Sequence, residues 1–267
     1  MIKSTFTILE GIGRKTEKRL WAEGVKSWQD FLDSSNMPWI SQIKKETYDQ
    51  QLLEASEEIE KLNSRYFLGL LEKCQHWRLF DSFKDHAVYL DIETTGGSPN
   101  QGDLTVVGIS NGRETKAFIQ GINLTAENLE EAFYGARMLV TFYGSVFDIP
   151  FLRHKFPHLD LNLPHFDLCF ATRRLGLKGG LKSVEAQVGI ERDREVSWMN
   201  GWDAVIMWQA YRMLGRKQAL DLLLKYNRED TENLTRLAQM VYQGLRRASG
   251  IDSEGESNSW EPIRDIL

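Results

Sequence analysis

The 267-residue chain is poor in cysteine, in long apolar runs and in excess positive charge. Its two cysteines, Cys74 and Cys169, leave neither a disulfide framework nor a cysteine zinc site available. No stretch approaches the length of a membrane span, and Met1 to Glu10 lacks the apolar run of a signal peptide. A cytoplasmic protein is expected. Lys and Arg number 33 against 38 Asp and Glu, a formal net charge of −5. That balance argues against a phosphate-binding protein, because such domains are usually basic. Internal repeats are also missing. What is present, 42% hydrophobic and 27% charged residues, is the composition of a soluble globular protein. The length suits one large domain with a small attachment.

Three zones follow one another. Residues 1–83 read as helical, with Lys44 to Leu62 rich in Glu, Lys, Gln and Leu and free of Gly and Pro. Residues 84–248 alternate strand and helix signals. Ala87 to Leu90 is a short apolar run, and Leu104 to Ser110 and Glu114 to Ile119 are strand-like around Asn111-Gly112, a turn dipeptide. Thr125 to Tyr134 predicts a helix capped by Thr125, Met138 to Phe142 a buried strand, and Phe147 to Lys155 a short helix carrying Pro150. A loop-rich segment precedes long helical patterns from Arg216 to Gly244. A hairpin followed by strand–helix alternation predicts an α/β fold, a mixed sheet flanked by helices after a small all-helical segment. Residues 249–267 form an acidic tail. Its first part, to Ser259, reads as a linker, and Trp260, Ile263 and Leu267 as points that dock back onto the body.

Three segments carry carboxylates in suggestive places. In Tyr89-Leu90-Asp91-Ile92-Glu93-Thr94-Thr95-Gly96, residues two apart on a strand share a face, so Asp91 and Glu93 project together. Two such acids resist joint ionisation unless a cation lies between them, and oxygen-only ligands favour a hard divalent ion. An ordinary acidic strand end facing solvent carries the same residues. Asp148, after the Gly-containing turn at Tyr143-Gly144, sits in the first turn of a helix among Phe147, Ile149, Phe151 and Leu152. The helix dipole alone would explain an acid there. Tyr226-Asn227-Arg228-Glu229-Asp230 opens a helix in which Tyr226 and Asp230 share a face with Leu234, Leu237 and Val241. Polar groups on such a face need partners, and a Tyr hydroxyl bonded to backbone would also satisfy that need.

In this order the segments resemble the three exonuclease motifs of the DEDD superfamily on a ribonuclease H-like fold. Residues from about Trp77 to Leu237 resemble the YprB-type ribonuclease H-like domain, which Leu181-Lys182-Ser183-Val184-Glu185 and Gly201-Trp202-Asp203-Ala204-Val205 also fit. The resemblance implies a 3′→5′ exonuclease of the tyrosine subtype, because Tyr226 precedes Asp230 by four residues and Lys225 stands where the other subtype has His. It implies two divalent ions, Mg2+ or Mn2+, held by Asp91, Glu93, Asp148 and Asp230. Asp91 would bridge both ions, and Asp148 would act on the second through water. Tyr226, a poor base at neutral pH, would orient the attacking water. Thr94, Tyr143, Lys182 and Ser183 would contact substrate. Tyr143 departs from the family, which usually has Asn there. A non-catalytic nucleic-acid-binding module, or a structure-specific endonuclease on the same carboxylates, are the alternatives.

Two further stretches concern substrate. Pro150 to Lys182 has a local excess of four basic residues, suited to phosphate contacts. Residues 7–33 resemble a helix-hairpin-helix element, in which Gly11, Gly13, Arg14 and Lys15 would approach a DNA phosphate at a helix start. The implied partner is therefore nucleic acid, single-stranded or at a 3′ end, with DNA favoured over RNA. His165 reads as structural and Asp167 as a support to the site. With four acids assigned to metal and an excess of four more in the tail, the net charge no longer opposes this reading.

Overall fold

The computed structural model describes residues 1–34, 37 and 39–252. Trp260, Ile263 and Leu267, expected to dock onto the body, and most of the acidic tail lie outside the described residues. A five-stranded sheet is built from β1 (Ala87–Thr94), β2 (Leu104–Ser110), β3 (Thr115–Ile119), β4 (Met138–Thr141) and β5 (His165–Asp167). Its order is β3-β2-β1-β4-β5, antiparallel on the β1–β2–β3 side and parallel on the β1–β4–β5 side. Helices α1 (Arg14–Ala22), α2 (Trp28–Asp33), α3 (Gln42–Glu60) and α4 (Phe80–Phe83) precede it. Helices α5 (Ala126–Phe133), α6 (Asp148–Lys155), α7 (Leu168–Arg174), α8 (Leu181–Gln187), α9 (Gly201–Leu214) and α10 (Lys217–Ser249) follow. The expected α/β architecture, with a leading helical segment, is met. No described helix is long and apolar enough to cross a membrane.

Alternation along β1 sets what each face carries. Val88, Leu90 and Ile92 pack with Leu129 of α5 and with Ile149, Phe151 and Leu152 of α6. Ala87 and Tyr89 turn to the opposite face, where Leu234, Leu237, Ala238 and Val241 of α10 cover them. Asp91 and Glu93 continue that second face, so the apolar stripe ends in two acids beneath α10. The leading helices share this core: Ile2, Phe6, Leu20, Trp28 and Phe31 belong to one apolar cluster with Tyr242 and Leu245 of α10. A buried ion pair ties the seam, with the Arg78 guanidinium on both Glu17 carboxylate oxygens at 2.9 Å, and Glu17 also accepting from the Phe6 amide at 2.8 Å.

Three elements differ from expectation. The loop-rich segment before Arg216 carries β5, α7, α8 and α9, short pieces whose few turns show little periodicity in the sequence. The Tyr226 helix begins at Lys217, so Tyr226 lies in its interior rather than at its start. The tail does not begin as a linker: Ser249 closes α10, Gly250 caps it in the left-handed conformation, and Ile251 is buried against the core. An apolar residue just beyond a left-handed glycine is a normal way to end a helix.

Candidate metal centre

Three elements converge on one cleft of about 370 Å³, lined by Asp91, Glu93, Thr94, Tyr143, Phe147, Asp148, Trp202, Tyr226 and Asp230 among others. Carboxylate oxygens of Asp91, Glu93 and Asp230 all lie within 4.8 Å of one another. Asp148, the first residue of α6, reaches the same cleft from a helix packed on the opposite face of β1, and its side chain is buried there. It stands outside the three-acid group.

What brings α10 this close is Gly108 of β2, the register partner of Asp91. A Cβ there would lie 2.3 Å from Oδ1 of Asn227 and 2.4 Å from Oγ1 of Thr231. Asn227 is fully buried and donates from Nδ2 to the Asp91 carboxylate at 2.8 Å, which fixes the register of Tyr226 and Asp230 over β1.

The electrostatics are those of an acid cluster short of positive charge. Burial pushes Asp91 well above the usual carboxylate range, with Asp230, Glu93 and Asp148 adding to it. Glu93 is raised in the same way, by burial first and then by Asp230 and Asp148. Burial carries Asp148 up to about 8 and, against the attraction of Arg192, Asp230 up to about 6. Arg192 is the nearest compensating charge. It is buried and pairs with both Asp230 and Glu185, and Asn233 donates to Glu185 at 3.0 Å. Burial works against the Arg192 charge, yet Glu185 and Asp230 hold its pKa well above the ordinary value. One arginine does not balance four acids. An all-oxygen donor set with surplus negative charge fits a hard divalent cation such as Mg2+ or Mn2+.

Other residues singled out in the sequence are distributed as follows. Thr94 lines the cleft and donates to the Gly96 carbonyl at 2.7 Å. Tyr143 also lines it, half-exposed, with φ at +68°. The Lys182 ammonium is held by the carbonyls of Val196, Ser197 and Met199 and lies 5.0 Å from the centre of the Tyr226 ring, so it braces the segment before α9. Ser183 donates to the Lys178 carbonyl at 3.0 Å and is not among the residues that line the cleft. Gly11 and Gly13 precede α1, Lys15 is exposed, and Arg14 pairs with Glu72 at 3.3 Å. His165 bonds Thr141 through Nε2 at 2.8 Å, and burial lowers it to about 4, which keeps it neutral. Arg192, Asn227 and Gly108 were not singled out in the sequence. Asn227 alone had a local signal, as a neighbour of Tyr226 one turn before Asp230 and Thr231.

Asp167 explains the Tyr143 backbone. Its carboxylate accepts from the amides of Tyr143 at 2.8 Å and Ser145 at 3.0 Å, from the Ser145 hydroxyl, and from the amide of Cys169 at the start of α7. A tyrosine at positive φ costs free energy and persists only where the surroundings enforce it. Asp167→Ala is expected to destabilise the protein by about 2 kcal/mol, by loss of a helix cap and of charge-assisted bonds to the turn. Urea unfolding measures this, and a midpoint equal to that of the wild type would remove Asp167 as the support of the turn.

A mixed sheet in this order, with two acids on its central strand facing a third on a crossing helix, defines a ribonuclease H-like fold. A protein-family model described as RNase_H superfamily matches residues 88–242, and the chain belongs to that superfamily. No curated protein matches it. Among solved structures it is similar to one described as the apo form of a nuclease, at 22% identity over 65% of this chain and 90% of that one, with a TM-score of 0.36. It is similar also to Brucella melitensis NrnC bound to pGG, at 22% identity over 68% of this chain and 93% of that one, again with a TM-score of 0.36.

Proposed function

We propose that the protein is a metal-dependent 3′→5′ exonuclease of the DEDD tyrosine subtype that hydrolyses phosphodiester bonds in nucleic acid. The observation that carries this is the convergence of Asp91, Glu93 and Asp230 oxygens within 4.8 Å, with Asp148 on the same cleft. Asp91, Glu93, Asp148 and Asp230 would hold two divalent ions, which when bound supply Lewis-acid activation of water and of the leaving 3′-oxygen. The remaining chemistry belongs to the chain. Burial, together with the charges of Asp230, Glu93 and Asp91, raises the Tyr226 pKa far above its ordinary value, so the phenol keeps its proton. It lies one turn before Asp230 on α10 and lines the same cleft, where its oxygen can accept a hydrogen bond from the attacking water and so orient it. Asn227 fixes Asp91 from behind, and Arg192 holds Asp230. The turn at Tyr143 and the Thr94 hydroxyl border the space for the terminal nucleotide. DNA is the preferred substrate on the strength of the Gly11–Lys15 element alone.

The pairing of Arg192 with Asp230 favours a second reading, a non-catalytic nucleic-acid-binding module in which the arginine takes the place of a cation. Incubation with Mg2+ or Mn2+ and 5′-labelled single- and double-stranded DNA and RNA separates the two. Stepwise shortening from the 3′ end, abolished by EDTA and by Asp230→Ala, is expected. Internal cuts would instead mean an endonuclease, and tight binding without cleavage would mean the binding module. Tyr226→Phe should lower kcat by roughly a hundredfold with little change in KM, and unchanged turnover would end the water-orienting role.

A further inference from the structure

A second cavity, of about 450 Å³, lies on the other side of the Tyr143 turn. Ser145, Ile149, Asp167 and Phe170 line it on the side of that turn, and Trp77 and His76 line it from the segment before β1. Between cleft and cavity runs an exposed aromatic ledge. The Tyr143 and Phe170 rings are 6.0 Å apart at 36°, each about two-fifths exposed, and the Arg173 guanidinium sits 5.4 Å from the Phe170 ring centre. Single exposed aromatics are ordinary on a protein surface, but here two are joined in one patch beside a cluster of carboxylates, and contiguous apolar patches mark interaction sites.

The charge around the cavity is positive. Lys73, Arg153 and Arg174 line it, and Arg153, exposed on α6, has no hydrogen bond or ion pair among the described residues. Arg174 is partly committed, donating to the Cys74 carbonyl at 2.9 Å. The carboxylate among its lining residues, Asp167, is occupied by the Tyr143, Ser145 and Cys169 groups it binds. The two histidines add no charge: burial lowers both, and the Nδ1 of His76 accepts from the His165 amide at 3.1 Å. Aromatic faces followed by basic side chains are what a single strand requires. Unpaired bases stack on the rings while the backbone meets the cations, and a stacked duplex offers no free base faces.

We propose that a single-stranded nucleic acid leaves the carboxylate cleft across Tyr143 and Phe170, and that the adjoining cavity binds an upstream nucleotide, with Arg153, Lys73 and Arg173 on its phosphates. This rests on the exonuclease reading for the direction of the strand but not for the binding itself. The test is therefore made without turnover. Fluorescence anisotropy in EDTA measures the affinity of a labelled single-stranded dodecanucleotide, as DNA and as RNA, of a blunt duplex and of a dinucleotide. Phe170→Ala and Arg153→Ala, both at exposed positions, should each cut the affinity advantage of the dodecamer over the dinucleotide by about tenfold, with Phe170→Trp restoring it. Phe170→Ala that leaves that advantage unchanged overturns the proposal, as does an equal loss of duplex binding. If the protein cleaves nothing yet Phe170→Ala weakens the dodecamer selectively, the strand path stands and the exonuclease reading falls. Cleavage with no effect of Phe170→Ala is the reverse case.

Discussion

Asp91→Asn, heated in EDTA at pH 8, is expected to unfold at a higher temperature than the wild type while losing on the order of a thousandfold in metal-dependent hydrolysis. The two effects have one cause. Asp91, Glu93, Asp148 and Asp230 are pushed above the ordinary carboxylate range by burial and by one another, so without cations the native state resists their ionisation. A carboxyl whose pKa is raised by folding binds more protons folded than unfolded. Its native state is favoured at low pH, and that advantage is lost as pH rises through the folded value. With Asp230 at about 6 and Asp148 at about 8, metal-free wild type should lose stability between about pH 4 and pH 8. Added Mg2+ or Mn2+ should restore it at the upper end. Replacing Asp91 by a neutral isostere removes one contributor to the repulsion, a gain of about 1 to 2 kcal/mol or roughly 2 to 8 °C in Tm. Differential scanning calorimetry across this pH range, with and without the ion, decides the matter. A wild type equally stable at pH 5 and pH 8 in EDTA would mean that the acids do not strain the fold.

The second large effect is expected at a residue with no chemistry of its own. Gly108→Ala places a methyl group inside the space of Asn227 and Thr231, at distances well under van der Waals contact. Overfilling a packed site typically costs about 1 to 3 kcal/mol. The greater loss should be functional. Asn227 holds Asp91, and the same helix carries Tyr226 and Asp230, so pushing α10 off the sheet separates the groups that must converge. A misplacement of about 1 Å costs on the order of a hundredfold in rate. Gly108→Ala should therefore fold, with a lowered denaturation midpoint and a larger fall in turnover than in stability. Adding Thr231→Ala, which removes one of the two clashing atoms, should recover part of both. A Gly108→Ala protein with wild-type turnover would show that α10 can shift without disturbing the cleft.

The sequence made the acids legible and hid most of what holds them. Asp91 and Glu93 stand out because a strand's two-residue repeat places them on one face, and Ile92 indeed packs on the other. The mixed sheet followed from the Asn111-Gly112 hairpin and the alternation after it. Gly108 escaped notice because Leu-Thr-Val-Val-Gly-Ile-Ser reads as one buried strand, and only the approach of a helix more than a hundred residues later makes its missing Cβ matter. Arg192 lies in Glu-Arg-Asp-Arg-Glu, a run that looks like a solvated charged face. Its partners, Glu185 and Asp230, come from two different helices. Glu17 was hidden in the same way, a lone acid in a basic helix start whose buried partner is Arg78. Pairings set by tertiary packing leave no local pattern to read.

The apolar cluster that joins Ile2, Phe6 and Leu20 to Tyr242 and Leu245 also bears on how the protein reaches its native state. Contacts so distant along the chain form late, because closing long loops must precede the burial that rewards it. Part of the apolar surface of the leading helices is covered only by residues of α10, more than two hundred positions later in the chain. That same helix delivers Tyr226 and Asp230 to the sheet. Both therefore depend on α10: until that helix is in place the acid cluster lacks Asp230 and the core lacks Tyr242 and Leu245.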